Sequence, residues 1–306
     1  TKSLGVFLLQ IPEIIINSKC DIILIAGDRG EHLMSAIAGA HLNIPVAHIQ
    51  AGEKSGNIDG NVRHAITKLS HIHFCSNMDA YNRVLNLGEE KFRIFNTGAP
   101  LIDELINTTF HINDIRQELN IPKNINIFLI VNHSISEESD IAHIQMTNLI
   151  KSLESYDKVY KIIIMPNSDS GSLKVRQIIH NVDNKKNYKI YFNLSRIIYI
   201  NIMKICTLMI GNSSSGIMEA PTFKIPVVNI GRRQIGRFRA KNVIDVKDYN
   251  IEDIKNGIQI GLSKEFKNSI KNIKNPYGDS KASEKIVNIL RNIKINKELI
   301  NKNTTY

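Results

Sequence analysis

The feature that most constrains the fold is a regular alternation of short β-rich runs with helical runs along the chain. Runs rich in Val, Ile and Phe predict strands, and strands that alternate with helices build parallel sheets. We predict strands at residues 21–26, 45–50, 72–76, 93–96, 125–131, 161–165, 189–192, 207–210, 227–230 and 243–246. We therefore expect an α/β fold of two doubly wound, Rossmann-like domains.

Segments between these strands repeat apolar residues at helical spacing. They predict helices at residues 4–18, 31–42, 61–69, 78–87, 101–106, 141–153, 172–180, 196–205, 215–220, 251–262 and 281–293. A polar stretch at 107–114 is a plausible linker. It divides an N-terminal domain (1–108) from a nucleotide-binding domain (109–280), which a C-terminal helix and tail (281–306) follow.

The two predicted domains would face a cleft, because open α/β sheets bind ligands outside the carboxyl ends of their strands. The first domain supplies about four strand–helix units and opens directly on a helix. A doubly wound domain usually has an earlier βα unit. We therefore expect the first domain to be N-terminally incomplete.

Composition narrows the possible partners. The chain has 306 residues, 42% hydrophobic, and no apolar run reaches membrane-spanning length, so we expect no membrane contact and a cytoplasmic location. Its three cysteines show neither metal nor disulfide spacing, and Cys75 and Cys206 are expected in the core. The net charge of +10 lies largely in a Lys-rich tail without a recognition motif, so nucleic acid is not expected as a partner.

The segment from Gly211 to Pro221 is the strongest local signal for a ligand. A buried strand ends in a turn with three serines, Ser213, Ser214 and Ser215, and a helical pattern follows. Free backbone N–H groups, the helix dipole and serine hydroxyls favour an anion such as phosphate. The turn predicts a phosphorylated ligand.

Polar residues also follow the first two predicted strands. Asp28 follows the strand at 21–26, where it is either a catalytic carboxylate or, with Glu31 three residues later, a helix cap. A glycine-rich loop from Gln50 to Gly60 follows the second strand, and such loops often carry function. Arg63 then opens the next helix.

Two further polar groups follow strands of the second domain. His133 comes after the strand at 125–131, where it could act as acid, base or phosphate partner. The loop from Asn167 to Ser172 could cap a helix or bind sugar hydroxyls. In contrast, His71 and His73 sit in an alternating run and are expected to be structural.

Four motif classes are absent from the sequence: the P-loop, zinc spacing, the G-x-S-x-G elbow and the G-x-G-x-x-G fingerprint. Kinases, metallohydrolases, serine esterases and dinucleotide oxidoreductases are therefore disfavoured.

Taken together, the motifs resemble the UDP-N-acetylglucosamine 2-epimerase family, and its hydrolysing branch in particular, which feeds sialic-acid-type sugar synthesis. The matching segments run in family order over most of the chain: Gly27-Asp28-Arg29, His48 to Glu53, Arg63 to His71, Asn96-Thr97-Gly98, Pro166 to Ser172, Gly211 to Pro221, and Asn229 to Gln234.

The resemblance implies a glycosyltransferase-B type fold that binds a UDP-sugar, without metal or other cofactor, in a homodimer or tetramer. It implies proton transfer or sugar contacts by Asp28, Asp59 and His133. It also implies that the substrate is bound by a larger set: Arg29, Glu53, Arg63, Asn167, Ser172, Ser213, Ser214, Glu219 and Arg233.

The implied reaction removes the C2 proton of UDP-N-acetylglucosamine, or of a diacetamido analogue, and expels UDP to give a 2-acetamidoglucal. Water then adds with inversion at C2 and releases the free 2-epimer, of N-acetylmannosamine type. Gln50 stands where relatives often carry glutamate or histidine, and Gly60 where a second carboxylate is common. Three alternatives stay open: a non-hydrolysing epimerase, a glycosyltransferase of the same architecture, and an inactive UDP-sugar-binding fragment.

Overall fold

The computed structural model describes residues 2–56, 58–108, 112–168, 170–183 and 185–305. The chain divides into two compact units. The first unit comprises Thr1–Glu104, Ile235–Phe238 and Pro276–Tyr306, and the second comprises Leu105–Gln234 and Arg239–Asn275. The units are thus interleaved along the chain. The predicted linear boundaries after residues 108 and 280 remain predictions, and part of the predicted linker, residues 109–111, lies outside the described residues.

The first unit contains a four-stranded parallel sheet in the order β1-β2-β3-β4. Its elements are α1 (Lys2–Ser18), β1 (Ile23–Ala26), α2 (Gly30–His41), β2 (Val46–Ile49), α3 (Ile58–Leu69), β3 (Ile72–Cys75), α4 (Met78–Asn86), β4 (Ile94–Asn96) and the start of α5 (Pro100–Asn107). The parallel register, such as Ile25 opposite His48, brings the carboxyl ends of β1 and β2 to the same edge.

The second unit contains a six-stranded parallel sheet in the order β10-β9-β8-β5-β6-β7. Its elements are α6 (Ile112–Glu118), β5 (Asn126–Val131), α7 (Ala142–Leu153), β6 (Val159–Ile164), α8 (Ser172–His180), β7 (Tyr188–Tyr191), α9 (Arg196–Ile205), β8 (Leu208–Gly211), α10 (Ser214–Met218), β9 (Val227–Ile230), β10 (Val243–Val246), α11 (Ile251–Leu262) and α12 (Lys264–Ser269). This is the 3-2-1-4-5-6 order of a Rossmann sheet, whose switch point lies between β5 and β8.

Apolar strands bury both faces of the second sheet. Phe128, Ile130 and Ile210 pack on one face with α7 and α11, while Leu129 and Met209 pack on the other with α9. Parallel sheets covered on both sides need such continuous apolar strands. The rigid sheet fixes where β5 and β8 end, and those ends carry the candidate ligand groups.

The C-terminal part of the chain completes the first unit. It forms α13 (Ala282–Asn292) and α14 (Lys297–Ile300). Ile286 and Leu299 from these helices pack with Ala47, Ile72 and Phe74 of β2 and β3. One face of the first sheet is therefore covered by residues from the far end of the sequence.

All ten predicted strands are present, and each begins and ends within two residues of its prediction. The predicted helices are also present, whereas the short helices α6, α12 and α14 were not predicted. Cys75 and Cys206 are buried, as expected. Among the described residues, no helix is long and apolar enough to cross a membrane.

Candidate functional site

The second unit places a tight turn at its switch point. The backbone N–H of His133 donates to Asn212 Oδ1 over 2.8 Å, and Asn212 Nδ2 donates back to the His133 carbonyl over 2.8 Å. Gly211 has φ +132°, and a Cβ there would lie 2.2 Å from the Val131 carbonyl oxygen. Only glycine fits this position, so β5 and β8 meet closely where a ligand is expected.

A chain of hydroxyl groups lies behind the serine turn. Ser213 caps α10, and its Oγ lies 2.9 Å from Ser215 Oγ. Ser215 Oγ in turn lies 2.6 Å from the hydroxyl of Tyr199 on α9, and burial raises the pKa of that phenol. Tyr199 therefore stays protonated and can hold the serine hydroxyls in place, a role that the sequence did not predict. Ser214, half-buried, begins the helix.

Glu219 follows α10 and is largely buried. Its Oε2 lies 2.7 Å from Nη1 of Arg196, which begins α9. The carboxylate is thus held at a defined position beside the turn. A carboxylate there can accept hydrogen bonds from hydroxyl groups of a ligand, because its oxygens offer about four lone-pair sites.

Two side chains after β9 reach back to the turn. Arg233 Nη1 and Gln234 Nε2 both donate to the Asn212 carbonyl, over 3.2 and 2.9 Å. Asn212 also donates to the buried Tyr249 hydroxyl over 3.3 Å, and that hydroxyl donates to Asn132 over 2.7 Å. The sequence predicted Arg233 as a site residue and placed Asn212 and Gln234 in matching segments, but it gave no signal for Asn132 or Tyr249, whose partners are distant in sequence.

His133 is held as a neutral ring. Its Nδ1 accepts a hydrogen bond from the Asn167 backbone N–H over 3.3 Å. Burial, with the nearby Arg233 charge, lowers the pKa of His133 to about 4. The ring proton is therefore assigned to Nε2, which makes that nitrogen a donor. Ser172 is buried at the start of α8.

In the first unit, Asp28 pairs with Arg63. Arg63 lies on α3 with its side chain 3% exposed, and its Nη2 donates to Asp28 Oδ2, while Nη1 donates to the Glu53 carbonyl over 3.0 Å. The N-cap of α2 is Arg29, without a side-chain hydrogen bond. Asp28 therefore does not cap α2 as a capping box would, and its carboxylate is oriented by a buried cation.

A buried histidine supports this pair. His48 Nε2 donates to the carbonyl of Gly27, next to Asp28, over 2.8 Å, and Nδ1 lies 3.2 Å from Thr67 Oγ1 on α3. Complete burial lowers the pKa of His48 to about 3, so the ring is neutral. His48 thereby links the backbone beside Asp28 to the helix that carries Arg63.

The loop before α3 contains the remaining predicted residues. Asp59 lies in the first turn of α3, one helical turn before Arg63, and is half-buried. Gln50 adopts a left-handed conformation with φ +64°. A Cβ on Gly60 would lie 3.0 Å from the Ser55 carbonyl oxygen, so a carboxylate at position 60 would require the loop to shift. Residue 57 lies outside the described part of this loop.

Glu53, at the start of this loop, has a side chain that is only 2% exposed. Its Oε1 accepts a hydrogen bond from Ser76 over 2.6 Å, and its Oε2 lies 3.7 Å from Arg237 Nη2. These protein partners hold the loop around Glu53, and contact of Glu53 with substrate stays a prediction.

His71 and His73 have structural partners, as predicted. His71 Nδ1 accepts from the Val46 backbone N–H over 3.2 Å, and His73 Nε2 lies 3.0 Å from the buried Glu89.

Throughout the described ranges, no cluster of three or more His, Cys, Asp or Glu side chains could hold a metal ion.

Comparison with known families decides the classification. A model of the UDP-N-acetylglucosamine 2-epimerase family matches residues 1–291. The chain belongs to this family. The observed pair of parallel sheets agrees with the family's glycosyltransferase-B type fold, and the predicted resemblance is confirmed.

Three relatives define the similarity further. The chain is 37% identical over 307 residues to the UDP-N,N'-diacetylbacillosamine 2-epimerase (hydrolyzing) of Legionella pneumophila, covering 100% of this chain and 80% of the relative. It is also 37% identical to the GDP/UDP-N,N'-diacetylbacillosamine 2-epimerase (hydrolyzing) of Campylobacter jejuni, covering 81% of this chain and 65% of that one. The crystal structure of UDP-GlcNAc 2-epimerase from Neisseria meningitidis bound to UDP-GlcNAc has the same fold, with TM-score 0.83, 21% identity, and coverage of 94% and 81%.

Proposed function

We propose that this epimerase-family protein is a hydrolysing 2-epimerase of a UDP-linked 2-acetamido sugar. The observation that carries the proposal is the 37% identity, across the whole chain, to a relative named as a hydrolysing 2-epimerase. Two curated relatives are named for N,N'-diacetylbacillosamine, so the UDP-linked diacetamido sugar is the preferred substrate and UDP-N-acetylglucosamine the second candidate.

The second unit would hold the nucleotide. Ser213, Ser214 and the neutral Nε2–H of His133 supply hydrogen-bond donors, and Arg233 supplies positive charge at the same turn. Such preoriented donors stabilise the negative charge that develops on UDP as the anomeric C–O bond breaks. Glu219 would accept hydrogen bonds from the ribose hydroxyls.

The first unit would carry the proton transfers. A carboxylate removes the C2 proton, the electron pair forms the C1–C2 double bond, and UDP leaves with the C1–O electron pair. Water then adds its oxygen to C1 while a proton returns to C2 from the opposite face, giving the free 2-epimer. Asp28 and Asp59 are the proposed acid/base residues, because Gln50 cannot exchange protons usefully at neutral pH.

The remaining predicted residues are proposed to bind the substrate, on the basis of the family resemblance and of their positions. Arg29 and Arg63 flank Asp28 in the first unit; in the second, Asn167 lies by His133 and Ser172 begins α8. A homodimer or tetramer and a cytoplasmic location are proposed on the same resemblance.

The proposal is tested by incubating the protein with UDP-N,N'-diacetylbacillosamine and, separately, UDP-N-acetylglucosamine in D₂O. Chromatography measures UDP, and NMR identifies the sugar. We expect stoichiometric UDP and a free 2-epimer with one deuterium at C2. An epimer still attached to UDP would instead indicate the non-hydrolysing reaction. Turnover only with an added acceptor would indicate a glycosyltransferase, and UDP binding without turnover would indicate an inactive binding protein.

A further inference from the structure

The chain makes a four-residue excursion, Ile235–Phe238, whose contacts have no role in the reaction proposed above. After Gln234 the chain leaves the second unit, contributes Ile235–Phe238 to the first unit, and returns at Arg239. Arg239 Nη2 donates to the Gln234 carbonyl over 2.7 Å, which closes the base of the excursion. Gln234 and Arg233 also donate to the Asn212 carbonyl, so this base is fixed to the proposed nucleotide turn.

Arg237 anchors the excursion within the first unit. Its side chain is 6% exposed, its Nε donates to the Lys54 carbonyl over 3.2 Å, and its Nη2 faces Glu53 Oε2 at 3.7 Å. The Tyr277 hydroxyl donates to the next residue's carbonyl, that of Phe238, over 2.6 Å. A buried guanidinium with a carboxylate and a carbonyl as partners is a costly group to displace, because its charge would lose its compensation.

Arg63 also contacts the loop at residues 51–56 that Arg237 contacts. Arg63 donates to the backbone carbonyl of Glu53, while Arg237 faces the side chain of Glu53. Arg63 also orients Asp28, and Asp59 lies one turn earlier on its helix. Glu53 is therefore held by two arginines: Arg237 of the excursion, and Arg63, which also orients the proposed proton-transfer residue Asp28.

We propose that Arg237 is a positioning residue that makes the order of the loop at residues 51–56 depend on nucleotide bound at the Asn212 turn. The inference rests on the proposed function. Nucleotide on Arg233 restrains the base of the excursion, and the excursion then restrains Arg237, Glu53 and the loop. A ligand that binds at one site can order a distant loop without touching it, and the site and the loop are then energetically coupled.

The test is hydrogen–deuterium exchange of residues 51–56 with and without UDP. In the wild type, we expect UDP to slow exchange there. In Arg237→Met, we expect UDP to leave exchange of the loop unchanged and the UDP Kd to rise by about fivefold at most, because the coupling between loop order and UDP binding is reciprocal. Turnover should fall roughly 100-fold in kcat with little change in KM, because misplaced catalytic groups cost about this much.

Controls separate this role from a merely structural one. Arg232→Met removes an exposed arginine of the same segment, which pairs with Glu138, and should retain both UDP-induced slowing and turnover. Arg237→Lys should restore part of both. If Arg237→Met does not fold, Glu53→Gln keeps the Ser76 hydrogen bond, removes the charge that faces Arg237, and should show the same loss of slowing.

Equal slowing by UDP in Arg237→Met and wild type would overturn the proposal, as would the absence of slowing in the wild type. A rise in the UDP Kd that matches the loss of turnover would make Arg237 a nucleotide ligand and also overturn it. Wild-type protein that binds UDP but releases none from either UDP-sugar would defeat the proposed function alone, because the exchange comparison uses UDP only.

Discussion

Replacement of Asp28 by asparagine tests the proposed chemistry most directly. The Asp28 side chain is 17% exposed and its partner Arg63 only 3%, so the pair is largely shielded from water. Asparagine keeps an acceptor oxygen for Arg63 but loses the charge and the exchangeable proton. We expect the free energy of unfolding to fall by about 1–3 kcal/mol, the range for a buried hydrogen-bonding group that loses part of its partner.

The expected loss of turnover is larger. General acid/base catalysis contributes about 10²–10⁴ in rate, or roughly 3–5 kcal/mol of barrier at 1.36 kcal/mol per tenfold. UDP affinity should change by less than about twofold, because the proposed nucleotide residues belong to the other unit. UDP release measures turnover, calorimetry measures UDP binding, and urea unfolding measures stability.

Asp79→Asn is the matched control. Asp79 also pairs with an arginine, Arg83, over 2.8 Å in the first unit, but its side chain is 37% exposed. We expect less than about 1 kcal/mol of destabilisation and near wild-type turnover, as for exposed ion pairs. Asp28→Asn protein that binds UDP and retains more than about a tenth of wild-type turnover would remove Asp28 from the proposed proton transfer.

Three further outcomes are expected. Gly211→Ala should lower stability by about 3 kcal/mol or more in urea unfolding and weaken UDP binding, because the new Cβ would meet the Val131 carbonyl. Arg93→Met should lower the free energy of unfolding by about 3–5 kcal/mol, because buried Arg93 donates hydrogen bonds to backbone carbonyls of the C-terminal segment. As a control, Arg291→Met, at an exposed arginine, should change the free energy of unfolding by less than about 0.5 kcal/mol. Burial lowers the pKa of His48 to about 3, so the unfolded chain binds more protons below pH 6.5. The stability present above pH 6.5 should therefore fall by roughly 3 kcal/mol towards pH 4, and His48→Gln should flatten that dependence in urea unfolding measured at each pH.

The sequence predicted those features that depend on local pattern. Every strand could be found because buried parallel strands are continuous apolar runs, and the serine turn because its residues are adjacent. The short helix α6 was missed because the polar texture of its start indicated a linker, although Ile115 and Leu119 bury an apolar face.

Features that depend on distant pairing could not be predicted in this way. A single sequence shows the hydrophobic period of a helix or strand but not which distant residues contact it. Asp28 was therefore equally compatible with a role as a helix cap, until the structure placed Arg63, 35 residues later, beside it. Arg237 donates to a carbonyl 183 residues earlier. Contact of Glu53 with substrate stays a prediction, while its pairing with this distant arginine could not be predicted from the sequence.

The covering of the first sheet by α13 and α14 has a consequence for synthesis of the protein. Ile286 and Leu299 pack on Phe74, Ile72 and Ala47, so this face of β2 and β3 lacks its native cover while the ribosome makes the intervening 200 or so residues. Domains usually fold from the N-terminus as they emerge. Here, the first unit would be completed only after the second unit has been synthesised, and this apolar face would be exposed until α13 and α14 emerge.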